Sequence, residues 1–286
     1  MIEETDSQAA ERERMREPDK QSSSQGIARA VVRVLERNSV AALATVVEAG
    51  ARVGAKLLIE ETGERSGSLG SPELDEAAAA YAGTFLQSRA EARTFKLDEI
   101  TDEFEPGTEA RILFERVEPE PRLVICGAGH VGASLARLAC AIGYRTTLID
   151  DRADFVRRER FPGESIELVS ADGWAEALRQ SIGAGRGVAV AIVTRGHNED
   201  EECLRAVMSA RPDYVGLIGS RRRTNIVLDR LREAGVSEER LREIRAPVGL
   251  DIGAVSPQEV ALSILAEIVA ERRGGTGSPL SSWRRS

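Results

Sequence analysis

The sequence predicts an α/β chain in two parts: a small N-terminal domain of α/β (α+β) character, then a larger domain built on a mostly parallel sheet. Three observations lead there. Residues 123–151 read LVICGAGHVGASLARLACAIGYRTTLIDD: an apolar run, a glycine turn, a helix-period stretch and a second β-rich run closed by two acids. From there strand-like and helix-like periods alternate to the last helix, as parallel strands covered on both faces do. Before Leu123 the order is helix, strands, helix, strands, which suits a smaller separate unit.

Residues 1–25 are polar and charged, without aromatic or β-branched runs, and are expected to form a disordered tail. The first domain is expected over 26–117. Its opening helix, Ile27 to Arg37, carries Ile27, Val31, Val34 and Leu35 at helical spacing. The period then shifts to strand over Ala41–Val47 and Ala55–Glu60, joined by a glycine-containing loop. Glu61–Glu64 is a turn and Arg65–Leu69 a short returning strand. Pro72 and Glu73 open an alanine-rich helix reaching Gln87. Glu91–Leu97 and Glu109–Val117 are two more strands, with Pro106 and Gly107 turning between them. Residues 118–121, Glu-Pro-Glu-Pro, form the linker.

The second domain is expected over 122–274, with a flexible tail at 275–286. In a Rossmann-like unit each part of its opening stretch has a task. Gly127 permits the tight turn, Gly129 lets a pyrophosphate approach the backbone, and Gly132 lets helix and strand pack closely. The amides at the helix start suit a phosphate. Asp150, 23 residues after Gly127, stands where an acid accepts from a ribose 2′-hydroxyl. Arg157–Phe161 leads into Pro162-Gly163, and Ile166–Val169 is a third strand. A helix over Gly173–Ile182, a buried-looking strand over Gly187–Val193 and a helix containing Cys203, Leu204, Val207 and Met208 follow. Tyr214–Ile218 is the next strand, ending at Gly219-Ser-Arg-Arg-Arg223. A long helix covers Asn225–Ala234, and a helical turn lies at Glu238–Leu241. The last helix has Ser256 as N-cap, Pro257 at its first position and Glu259 completing a capping box. Val260, Ile264, Leu265 and Ile268 mark its buried side, and it runs to Arg273.

In such sheets the ligand crevice lies outside the carboxyl ends of the strands. Gly127–Gly132, Asp150 and Asp151, Thr194–Asp200 and Gly219–Arg223 all follow strands and are expected on one rim. His130 and His197, the two histidines of the chain, share it. Histidine suits proton transfer near neutral pH and metal ligation, so His197 and Asp200 are the acid–base candidates. With His130 or Cys126 they also make a conceivable ligand set, but the spacing matches no zinc motif and no metal site is assigned. A bland role, His197 bonding to the start of its helix, competes with these. A glycine turn, Ser220 and the guanidinium groups of Arg221, Arg222 and Arg223 at a helix start suit an anionic ligand. Asp251 is a buried-looking carboxylate between glycines, either a ligand contact or part of a rigid turn. Cys126 stands beside the glycine turn within reach of a ligand, whereas Cys140 and Cys203 read as core thiols.

Composition narrows the classes. Charged residues make up 30% of the 286, and the formal net charge of −8 argues against broad nucleic-acid binding. No run approaches the roughly 18 apolar residues that cross a membrane. The start has no apolar signal-peptide core, and the three cysteines form no CxxC pair, so a cytoplasmic protein is expected.

Taken in order, these motifs resemble the XdhC/CoxI family, accessory factors of xanthine dehydrogenase and related molybdenum hydroxylases. The resemblance rests on GAGHVG, the Leu-Ile-Asp-Asp-Arg run at 148–152, Phe161-Pro162, Thr194-Arg-Gly-His197 with Asp200, the Gly-Leu-Ile-Gly-Ser-Arg-Arg run at 216–222 and APVGLDIGAVSPQEVALSILAEIVA. It covers nearly all of Leu123–Ala270. The first domain resembles the family more thinly, through Ala42–Val47, Gly54–Leu57 and Gly67–Gly70. The family's Gly-Ser-x-Pro-Arg segment is replaced by the shorter Glu48–Val53, and its Cys-Leu-Glu by Ser71-Pro-Glu-Leu74. No cysteine precedes Cys126.

The resemblance implies a non-catalytic factor that binds the molybdenum cofactor, protects it while its sulfido ligand is installed and delivers it to a hydroxylase. A client hydroxylase and a cysteine-desulfurase-like sulfur donor are the implied partners, and an arginine-lined site at Ser220 to Arg223 would take the molybdopterin phosphate. The residues expected to bind cofactor are Gly127, Gly129, His130, Gly132, Asp150, Asp151, Thr194, His197, Gly219, Ser220, Arg221 and Arg222 on the rim, and Asp251 in the loop before the last helix. The same crevice suits NAD(P) or another dinucleotide, so an oxidoreductase stands as the alternative, and a degenerate scaffold for hydroxylase assembly as a third. Two domains on a short linker allow a homodimer by exchange.

Overall fold

The computed structural model describes residues 25–48, 53–88, 90–96, 99, 111–183 and 185–281. The expected N-terminal tail, the turn at Pro106-Gly107 and most of the shortened loop after Glu48 lie outside them. The chain divides between Pro119 and Glu120 into two compact units.

In the first unit, helix α1 (25–36) precedes β1 (Ala41–Glu48), β2 (Lys56–Glu60) and β3 (Arg65–Ser68). Then come α2 (Pro72–Gln87), β4 (Ala92–Lys96) and β5 (Arg111–Val117). The five strands pair antiparallel in the order β3-β2-β1-β5-β4. Side chains alternate across a strand, and the sequence uses both faces. Ala42, Ala44 and Val46 join Leu74, Ala78 and Phe85 of α2 in one core, while Ala41 and Leu58 meet Ile27, Ala30 and Val34 of α1 in another. Ser71 caps α2 by accepting from the Leu74 amide. Phe85, Phe95 and Phe114 are buried there, each worth roughly 1.5–3 kcal/mol of apolar burial.

In the second unit, β6 (Arg122–Cys126), α3 (His130–Ala141), β7 (Arg145–Asp150), β8 (Ile166–Ser170), α4 (Trp174–Ile182) and β9 (Val188–Ile192) follow in turn. The chain continues with α5 (His197–Ala210), β10 (Tyr214–Leu217), α6 (Arg221–Glu233), α7 (Glu238–Arg242), β11 (Ile244–Arg245) and α8 (Pro257–Arg273). All six strands are parallel, in the order β11-β10-β9-β6-β7-β8. The order reverses between β6 and β9, the switch point where crevices form in open α/β sheets.

Two cores flank this sheet. Leu135, Ala136 and Ala139 of α3 pack with Ile264, Leu265 and Ile268 of α8 on one face, and Leu178, Leu204 and Val227 from α4, α5 and α6 lie on the other. The capping box at Ser256 and Glu259 is formed as expected.

Four local differences separate the structure from the sequence pattern. Helix α5 begins at His197 rather than beyond Asp200, and α6 begins at Arg221 rather than Asn225. Between β7 and β8 the chain makes two 3₁₀ turns, Ala153–Val156 and Arg158–Arg160, and β11 is a two-residue strand with no sequence signal of its own.

Candidate functional site

The glycine turn is built as tightly as its sequence demands. Gly127 has φ +107°, and a Cβ there would lie 2.6 Å from the Val193 carbonyl oxygen. A Cβ on Gly132 would lie 1.8 Å from the Gly127 carbonyl oxygen, so α3 seats against the turn only because residue 132 has no side chain. Gly129 differs: a Cβ there would meet nothing within 4 Å. It is the N-cap of α3 with no side-chain cap bond, and the first turn carries no acid. A helix start without a side-chain cap or an acid suits an anion.

Asp150 is not the open acid that the sequence suggested. It is 1% exposed, and its carboxylate accepts from the Ala128 amide (2.7 Å), the Arg152 amide (2.9 Å) and the Arg152 Nε (2.8 Å) and Nη2 (2.9 Å). Burial alone would raise its pKa, but the bonds from Arg152 and the two amides outweigh it and hold the acid below the ordinary carboxylate range. The carboxylate expected to receive a ribose hydroxyl instead fastens the glycine turn to the tip of β7. Arg152 in turn stacks on Phe155, 3.6 Å from the ring centroid, with Arg160 over the same ring at 4.7 Å. Arg160 also donates to the Ala128 carbonyl (3.3 Å). This arginine–phenylalanine packing was invisible in sequence, because the motif Asp-Phe-Val-Arg-Arg-Glu-Arg-Phe reads as a solvated turn.

Asp200, an acid–base candidate, is fully buried. It accepts a short hydrogen bond from the Thr194 hydroxyl and charge-assisted bonds from Arg223 Nε (2.9 Å) and Nη2 (2.6 Å). Burial pushes its pKa up against the pull of Thr194, Arg223 and His197. Arg223 also reaches the Thr194 carbonyl (3.3 Å). The third arginine of the cluster therefore ties α6 to the end of β9. Thr194, expected on the rim, is likewise buried within this knot.

His130 and His197 are exposed first residues of α3 and α5, the helices that follow the adjacent strands β6 and β9. Among the described residues no group of three His, Cys, Asp or Glu side chains comes together to hold a metal. Cys126 is fully buried in the core facing α4 and α5, not beside a ligand, and Cys203 lies in the same core. Asp251, read as buried, is exposed; the neighbouring Gly249 is what the fold holds, its amide donating to Glu267 (2.9 Å).

At the end of β10, Gly219 leads to Ser220, whose hydroxyl caps α6 by accepting from the Arg223 amide (3.3 Å). Arg221 and Arg222 are exposed in the first turn, which carries no acid, and no ion pair among the described residues engages either. Asp151 and Arg195, which the sequence had placed on the rim without a partner for either, form a bidentate pair at 2.9 and 2.8 Å. The strand-end rim thus separates into two groups. Asp150, Thr194, Asp200 and Arg223 are structural fastenings; Gly129, His130, His197, Ser220, Arg221, Arg222 and Asp251 remain accessible.

The family described as XdhC Rossmann domain matches residues 123–268, and the one described as XdhC and CoxI family matches 34–97. The uncharacterized protein YqeB of Escherichia coli strain K12 is 36% identical over 157 residues, 55% of this chain and 28% of that protein. A probable xanthine dehydrogenase subunit of Bacillus subtilis strain 168 is 30% identical over 162 residues, 57% of this chain and 46% of that protein. The molybdenum cofactor insertion chaperone PaoD of Escherichia coli strain K12 is 30% identical over 154 residues, 54% of this chain and 41% of that protein. The matches thus span less than half the length of these curated relatives. A crystal structure of a xanthine dehydrogenase from Bacillus halodurans aligns with 88% of this chain and 99% of that one, at 19% identity and a TM-score of 0.49.

Proposed function

The chain belongs to the XdhC and CoxI family, and from that premise we propose that it is an accessory factor of molybdenum hydroxylases. In this reading it binds the molybdenum cofactor at the strand-end rim, protects it while the terminal sulfido ligand is installed, and delivers it to a client such as xanthine or carbon monoxide dehydrogenase. The observation that carries the reading is the pair Arg221 and Arg222, exposed at an acid-free helix start beside the Ser220 hydroxyl. Backbone amides, a hydroxyl and two unengaged guanidinium groups fit the phosphate of a pterin cofactor, and guanidinium is the side chain that grips phosphate by two parallel bonds. The bound cofactor would supply its own metal–sulfur centre. What the chain contributes is grip on the phosphate and a rim held still by the Asp150 and Asp200 fastenings. A cysteine-desulfurase-like donor and the hydroxylase are the partners such a role requires.

The NAD(P)-dependent oxidoreductase reading has less behind it. The ribose-binding acid it needs is occupied by Arg152, and Asp200, its would-be acid or base, is enclosed. The test is to load purified protein with molybdenum cofactor and measure the pterin fluorescence and mass of what it releases, for wild type and for Arg221→Ala/Arg222→Ala. Near-stoichiometric pterin retained by wild type and lost from the double variant is the expected result. No pterin retained by wild type sinks the proposal.

A further inference from the structure

Strands β7 and β9 flank β6 in the sheet, and their ends carry a contact that crosses it. Asp151 is the first residue beyond β7. Arg195 lies just beyond β9, and its guanidinium grips Asp151 through Nη1–Oδ1 (2.9 Å) and Nη2–Oδ2 (2.8 Å). The pair spans the carboxyl end of β6, where Gly127 starts the turn. A ligand laid across the switch point from the β7 side to the β9 side has to displace it.

The two partners are not equally free to move. Asp151 sits at the tip of a strand whose last residue, Asp150, is locked to Arg152. The side chain of Arg195 is 48% exposed and that of Asp151 30%, and a solvent-exposed pair is held weakly. Arg152 cannot turn outward at the same small cost, because it would leave the buried Asp150 carboxylate with two amides and no cation. Arg195 would still have Glu199 beside its Nε at 3.3 Å. Its planar fork now holds a carboxylate in the geometry that fits two phosphate oxygens.

We infer that Arg195 is an anion-receiving residue of the glycine-turn crevice, held in reserve by Asp151, and that the pair is a latch which a phosphate-bearing ligand opens by taking Asp151's place on the guanidinium. The inference rests on the reading of the rim as the ligand face, and goes beyond it in naming the residue that admits the ligand and the one that keeps it out.

The test is a titration of wild type, Asp151→Asn and Arg195→Gln with a fluorescent N-methylanthraniloyl ADP at fixed ionic strength. Asp151→Asn replaces the charge-assisted grip on the guanidinium by a neutral one and removes a repelling charge, so it is expected to bind about tenfold more tightly than wild type, and Arg195→Gln about tenfold more weakly. Asp151→Ser carries the same expectation should Asp151→Asn fail to fold. An Asp151 variant that binds no better than wild type overturns the latch, as does absence of binding by every variant at millimolar probe. Cofactor retention is read separately by pterin release, so a protein that keeps pterin while its latch variants bind the probe alike loses the latch and keeps the proposed function.

Discussion

Replacing Arg223 by Ala would leave the buried Asp200 carboxylate with the Thr194 hydroxyl and little else. Removing one partner of a buried pair costs about 3–5 kcal/mol, because the charge left behind is neither solvated nor compensated. Urea denaturation should show that loss for Arg223→Ala, whereas Arg221→Ala and Arg222→Ala, exposed and unengaged, should stay within about 0.5 kcal/mol of wild type. Equal losses at all three would contradict the division between fastening and free arginines. The sequence shows three adjacent arginines and no reason to separate them. What separates them is helical direction and a partner 23 residues away, and pairings at that range follow from the packed fold rather than from local pattern. The same holds for Asp151 and Arg195, 44 residues apart. Asp150 was legible as an acid at a strand end. That Arg152, two residues on, would curl back and occupy it was not.

At the scale of elements, periodicity carried most of the architecture. β6, α3 and β7 stand where the apolar pattern places them, because buried parallel strands and an amphipathic helix leave strong periodic signals. Boundaries failed where that signal stops: α6 starts with three arginines and α5 with His-Asn-Glu-Asp, polar turns in which no apolar residue marks the helix. β11 pairs through two residues, too few for any period. The glycines of the turn were legible as a motif, but their unequal roles come from packing. Gly132→Ala should therefore be severe, since its Cβ would meet backbone at 1.8 Å and push α3 off the turn. Gly129→Ala meets nothing within 4 Å and has φ −64°, so it should fold normally. Thermal melts of the two variants check this: a drop of several degrees is expected for Gly132→Ala and little change for Gly129→Ala. Similar melting of both would show that α3 has room to shift.

At the scale of the molecule, each unit carries cores of its own, and those of the second draw only on residues beyond Glu120. A fragment of residues 120–286 is expected to fold by itself and unfold cooperatively, as calorimetry would show; a broad, non-cooperative melt would mean the first unit is needed. The two-part architecture was readable from the change in element order, helix, strands, helix, strands before Leu123 and strand–helix alternation after it; the antiparallel pairing of the first sheet was not.

Within the second unit, α3 rests on α8. The helix that carries the glycine turn is thus backed by the last of the described helices to leave the ribosome. Chains grow at roughly 5–20 residues per second, so several seconds separate the synthesis of Gly132 from that of Ile268. During that interval the turn exists without its support. A nascent chain stalled before Pro257 would carry every glycine of the motif without the helix on which α3 packs.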